Sequence, residues 1–117
     1  MLDEKRLSEI EARANAATPG PWFPAGNANG YWVECGEKGE DGERNQWIAN
    51  IDSAVKHERP DAAFIADARQ DIPELLAEVR RLRAALTDYA NHADDSGWSN
   101  LAREIRRHVQ PARQNAG

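Results

Sequence analysis

Ala17-Thr18-Pro19-Gly20-Pro21-Trp22 divides this chain into a helical start and an extended middle. Each proline biases the residue before it away from the helical region, and the glycine between them permits a sharp bend. Upstream, Leu7, Ile10, Ala14 and Ala17 recur at helical spacing, with Lys5, Arg6, Glu9 and Arg13 on the other side. The pattern predicts a helix over residues 3–16, with Asp3 accepting from the first exposed amides and Glu4 well placed in the first turn. Downstream, Tyr31-Trp32-Val33-Glu34-Cys35 and Gln46-Trp47-Ile48-Ala49-Asn50-Ile51 are rich in aromatic and β-branched residues and predict antiparallel strands. Trp22-Phe23 offers a short third strand, which Pro24 confines to an edge because it has no N–H to donate. The glycine-rich, acidic run over residues 36–45 predicts a mobile hairpin loop.

A second motif, Asp61-Ala62-Ala63-Phe64-Ile65-Ala66, returns the chain to helix. Pro60 suits a first turn, where its missing N–H costs nothing. The expectation is a helix holding Ala63, Phe64 and Ala68 inward and ending near Gln70. Asp71 then opens a third helix, with Glu74 at capping-box spacing and Pro73 tolerated in the first turn. Along that helix Ile72, Leu75, Val79, Leu82, Leu86 and Tyr89 alternate in steps of three and four, and Leu76 widens the stripe. This is a heptad pattern of about two and a half repeats, short of the three or four that establish a free-standing coiled coil. The stripe packs either within its own domain or between copies, and these six residues are the candidate oligomer interface. Residues 91–97 form a turn cluster, with Ser96 as cap for a fourth helix whose inner stripe is Trp98, Leu101, Ile105 and Val109, and Pro111 ends it. The short connection makes the last two helices an αα-hairpin. The fold class is therefore α+β: an N-terminal helix, a small antiparallel sheet of two or three strands, then three helices ending in the hairpin. One domain is expected over residues 1–110, with a flexible tail over 111–117.

A chain of 117 residues can bury roughly two-thirds of its unfolded surface, enough for one core without disulfide or metal staples. Its apolar share of 40% is low and its charged share of 30% high, which suits helices with long exposed faces. The net charge of −5 is uneven: residues 96–117 carry +3, from Arg103, Arg106, Arg107 and Arg113 against Glu104, so the rest carries −8. An acidic body repels phosphate backbones, which argues against nucleic acid as a partner. Cys35 is the only cysteine, which excludes an intrachain disulfide and a Cys-based metal site. No apolar run approaches ~18 residues and no secretory h-region stands out. The expected setting is cytoplasmic, without membrane association.

Thr18-Pro19-Gly20-Pro21-Trp22 after a short amphipathic helix, then Asp61-Ala62-Ala63-Phe64-Ile65-Ala66 and the run Asp71-Ile72-Pro73-Glu74-Leu75-Leu76, resembles the Ead/Ea22-like family of small phage and prophage proteins. The similarity spans roughly residues 7–86 and rests on the order and separation of the motifs. The resemblance implies an accessory gene outside the virion's structural core, expressed in the cytoplasm of a bacterial host. It supplies no catalytic residues to carry over.

Individual constellations offer little chemistry. His92 with Asp94 and Asp95 lies in the turn cluster at a spacing that matches no standard metal site. His108 falls near the inner edge of the last helix and reads as a packing residue. Glu40 and Glu43, then Glu58 and Asp61, superficially match the paired carboxylates of all-α nucleotide pyrophosphatases, which must share helix faces to hold magnesium. Here the first pair lies in a glycine-rich loop and the second straddles Pro60. No nucleophile elbow or phosphate-binding loop is present, and Cys35 reads as small strand filler. No cofactor is expected.

The aromatics carry more. Trp22, Tyr31, Trp32 and Trp47 all fall in the β segment. Side chains alternate along a strand, so Tyr31, Val33 and Cys35 share one face, and Trp32 and Glu34 the other. Trp32 and Trp47 can be cross-strand neighbours. They either complete a thin core or form a stacking platform for a nucleobase or a partner's side chain. The leading expectation is a non-catalytic accessory protein that binds a host protein, with interference in a bacterial defence system as its most specific form. The alternatives are an oligomeric sponge for a small nucleotide signal, with Trp32, Trp47 or Tyr31 stacking and Arg80, Arg81 or Arg83 meeting phosphate, and a ligand-free homo-oligomeric scaffold.

Overall fold

Asp3 opens the fold as its sequence context predicts. Its carboxylate accepts the backbone N–H of Arg6 at 2.8 Å, satisfying a first-turn donor that has no partner inside the helix. Helix α1 then runs Glu4–Ala16, followed by β1 Trp22–Asn27, β2 Gly30–Lys38, β3 Arg44–Ile51, α2 Glu58–Asp95 and α3 Ser99–Val109. The structure, a computed structural model, describes residues 2–52 and 57–109, so the tail expected over 111–117 lies outside the described residues. The α+β class is as expected, with an antiparallel sheet ordered β1-β2-β3 that follows the first helix and precedes the later ones along the chain. The chain forms two compact units: a sheet unit over Ala14–Glu74, and a helical unit of the residues up to Arg13 and those from Leu75 onward.

In the sheet unit the third strand is real and sits at the edge. Pro24 pairs with Val33 from that edge, where its missing N–H faces no neighbour. The strands β2 and β3 reach further than residues 31–35 and 46–51, which shortens the hairpin connection to residues 39–43. They stay paired through two register shifts, and Gly36 lies between Cys35 and Lys38, where the second occurs. Its φ is +88°, and an added Cβ would meet the Asn45 Oδ1 at 2.0 Å, so glycine is required there. Val33, fully buried, packs on Ala62 and Ala66 of α2, with Trp22, Tyr31, Ile48, Ile51 and Ile65 around them. Burying such an aliphatic side chain is worth roughly 1.5–3 kcal/mol.

The inward face of α2 in this unit is not the one expected. Ala62, Ile65 and Ala66 face the sheet, while Phe64 is 77% exposed. Two alanines four apart let helix and sheet approach closely, and Arg69, seven residues after Ala62, completes that face. Its Nε donates to the Thr18 carbonyl at 3.1 Å, an oxygen that also accepts from Trp22 Nε1 at 3.0 Å. The first motif and the helix that follows the second therefore meet at one carbonyl.

A break at Asp71 was expected, but α2 is one helix of 38 residues with Pro73 inside it. Ending a helix exposes four carbonyls, and starting the next exposes four N–H groups. Continuing through Pro73 forfeits only one backbone bond. Gln70 and Glu74 also clasp across the proline, Nε2 to Oε1, at 2.8 Å. Likewise α2 continues through the expected turn cluster to Asp95 and stops at Gly97. Gly97 has φ +86°, its N–H donates to the Asp94 carbonyl at 3.0 Å, and the Trp98 N–H donates to the Ala93 carbonyl at 2.7 Å. This is a Schellman stop, so Ser96 belongs to the end of α2 and does not cap α3.

In the helical unit α3 folds back on α2 as the expected αα-hairpin. Ala90, Ala93 and Ala102 form its contact, with Ile105 against them. Arg106 ties the pair polarly, to Asn91 Oδ1 at 2.8 Å and to Asp94 Oδ2 at 2.6 Å. Val109 is buried as expected, but Ala102 takes the place foreseen for Leu101 and Trp98, both largely exposed. The short alanine allows the close approach that leucine one position earlier would hold apart. His108 is exposed beside Glu104 rather than packed.

Candidate binding surface

Register places Glu34 opposite Trp47, and Trp32 opposite Asn50. The two indoles meet along the diagonal with centroids 5.4 Å apart and planes at 25°, a stacked pair. Trp32 is buried, and its Nε1 donates to Glu34 Oε2 at 2.9 Å, with the Glu34 carboxylate buried beside it. Trp47 is 57% exposed. A fixed indole thus supports an open one. On the same face Phe23 stands opposite Glu34, and the Arg44 guanidinium lies 3.6 Å from the Phe23 ring centroid while donating to the Gly36 carbonyl at 2.9 Å. The face offers flat, polarizable surface held by backbone and carboxylate anchors, suited to stacking and apolar contact.

Tyr31 is on the opposite face, against the Val33 cluster. Its hydroxyl accepts from Arg59 at 3.1 Å, with the guanidinium 5.6 Å from the ring centroid. Pro24, Asn27, Tyr31, Arg59 and Ala62 line a cavity of about 490 Å³ there. Tyr31 therefore does not join the indole pair in one platform. Cys35 is buried, its thiol donating to Gln46 Oε1 at 3.2 Å.

The three arginines considered for phosphate belong to the helical unit and have partners within it. Arg80 bridges Glu4 at 3.0 Å and also bonds Glu11; Arg81 grips Glu78; Arg83 donates to the Leu2 carbonyl. The bond to Glu11 raises the Arg80 pKa, and the bond to Glu78 raises that of Arg81, so both cations are held more firmly. In return Arg81 holds the Glu78 carboxyl below the ordinary glutamate value. A phosphate at Arg80 or Arg81 would have to compete with these carboxylates.

Of the heptad residues, Ile72, Leu75, Leu82, Leu86 and Tyr89 are exposed in the single chain, and Val79 is half-buried. The sequence could not say whether this stripe is covered within the chain; among the described residues nothing covers it apart from the half-buried Val79.

Glu40 and Glu43 lie in the hairpin connection and Glu58 and Asp61 in the first turn of α2, while Asp94 is engaged by Arg106. Among the described residues no group of three or more His, Cys, Asp or Glu side chains could hold a metal ion. No helix among them is long and apolar enough to cross a membrane. Sequence reasoning missed Arg59 and Arg69, and it placed Glu34 on the Trp32 face without its bond to the indole. Only Glu34 had a signal, its i,i+2 spacing from Trp32. No family model matches the chain, and neither curated proteins nor solved structures yield a match.

Proposed function

We propose that this chain is a phage or prophage accessory protein without catalytic activity, self-associating, that binds a host protein through the indole face of its sheet. The exposed Trp47 stacked on the anchored Trp32 carries this reading. A rigid, exposed aromatic loses little entropy on binding, and such residues dominate interface energetics. The motif order shared with the Ead/Ea22-like family supports the phage origin, and interference with a bacterial defence system is the form of host binding to test first.

Replacing Trp47 with Ala should weaken the partner complex about 30-fold or more, the usual scale for an aromatic hot spot. Affinity capture from host cells identifies the partner, and calorimetry on the purified pair reads the loss. Catalytic turnover of nucleotides or peptides by the wild-type protein would refute the reading. The same indole pair favours the nucleotide sponge as a second reading. A nucleotide at 100 times its Kd should add about 2.7 kcal/mol of stability, so a thermal-shift panel with no response eliminates the sponge.

A further inference from the structure

We infer that the α2 face from Leu75 to Tyr89 seats a second copy of this chain as a parallel, in-register helix pair, making the protein a dimer. The inference rests on the self-association in the reading above and gives it a geometry. Leu75 is 64% exposed, Leu82 48% and Tyr89 69%, a row of large apolar side chains on one helix. The helix under them is already formed and braced by α1 through Arg80 and by α3 through Ala90 and Ala93. Association therefore does not have to nucleate it, and fewer heptads suffice than for a free peptide. The stripe also has a defined end: Ala93, the next stripe position after Tyr89, is covered by Ala102.

The area is of the right size. Leu75, Leu82, Leu86 and Tyr89 on α2 expose roughly 400 Å² of side chain along one helix. That is the size of the roughly 300–600 Å² patch that is often functional on a single chain, and a symmetric pair covers it on both copies at once. Residue choice selects the arrangement. Within the face β-branched Val79 and then Leu86 occupy one core position, and Leu75, Leu82 and Tyr89 the other; the β-branched and leucine layer of Val79 and Leu82 favours two parallel strands. Charge agrees with it. Glu78 and Arg83 flank the stripe five residues apart, so in a parallel pair Glu78 faces Arg83 of the second copy, twice by symmetry. An antiparallel pair centred on Leu82 would instead set Arg83 against its own copy.

Light scattering on the eluting protein should give twice the 13.0 kDa chain mass, and Leu82→Asp should give a single chain. Glu78→Arg should weaken the dimer about tenfold, two attractive pairs becoming repulsive, and Glu78→Arg with Arg83→Glu should restore it. A misfolded variant cannot show that rescue. With Cys35 buried, an added Leu75→Cys should cross-link to itself on oxidation. A monomeric wild type overturns both this inference and the self-association it rests on, leaving the face to the host partner. A dimer in which Leu75→Cys cross-links Tyr89→Cys instead of itself overturns the parallel register alone.

Discussion

Replacing Pro73 with Ala tests whether α2 truly runs unbroken through residues 70–74. In a helix interior proline cannot donate to the carbonyl four residues back, here that of Arg69, and its ring crowds that oxygen. The gross cost relative to alanine is about 3 kcal/mol. Proline also restricts the unfolded chain, which returns roughly 0.4–1 kcal/mol that alanine would give up. The Gln70–Glu74 clasp is unaffected, since neither side chain changes. The net expectation is a stabilisation of about 2 kcal/mol, or about 8 °C in Tm for a chain of this size. Thermal unfolding followed by far-ultraviolet circular dichroism reads it directly, and helical signal should hold or rise. If two helices met at Asp71, Pro73 would occupy a favourable first-turn position, and alanine would be neutral or harmful. An unchanged or lowered Tm would therefore refute the continuous helix.

The buried indole–carboxylate bond predicts that Trp32→Phe destabilises the chain by about 1–3 kcal/mol in denaturant unfolding, because Glu34 loses its donor without regaining water; a neutral effect would show that the bond holds nothing. Glu78 should titrate below an ordinary glutamate in carboxyl NMR because of its bonds to Arg81, and Arg81→Gln should return it to the ordinary range. The sign follows from a depressed folded pKa: the pair's contribution is present above the unfolded glutamate pKa and is lost as pH falls through the lower folded one. A Glu78 that titrates like a free peptide would contradict the geometry.

Where a residue type had one use, the sequence was readable. Asp3 before an amphipathic run can only be a cap, aromatic and β-branched clusters between glycines read as strands, and Pro24 could only sit on an edge. Helical phase was harder. In the alanine-rich start of α2, Ala62 and Ala66 compete with Ala63 and Ala68, and nothing local says which pair the sheet will meet. The choice is made by Val33 and by the Arg69 bond to Thr18, both distant in sequence. The same one-residue ambiguity separates Leu101 from Ala102. Pro73 misled because its local signal is identical at a helix start and inside a long helix. The stacking of Trp32 on Trp47 was legible from strand alternation, whereas the buried Glu34 beneath it ran against the expectation that carboxylates stay wet.

The α2–α3 contact is built from alanines, with the bulky leucines and aromatics turned outward. What keeps these helices together is thus largely separate from what they display. Under the proposed self-association, substitutions at Leu75, Leu82 or Tyr89 would change the pairing while leaving the hairpin intact. A gene under shifting pressure gains room to change allegiance quickly on such a scaffold, since new specificity does not have to be reconciled with folding at each step.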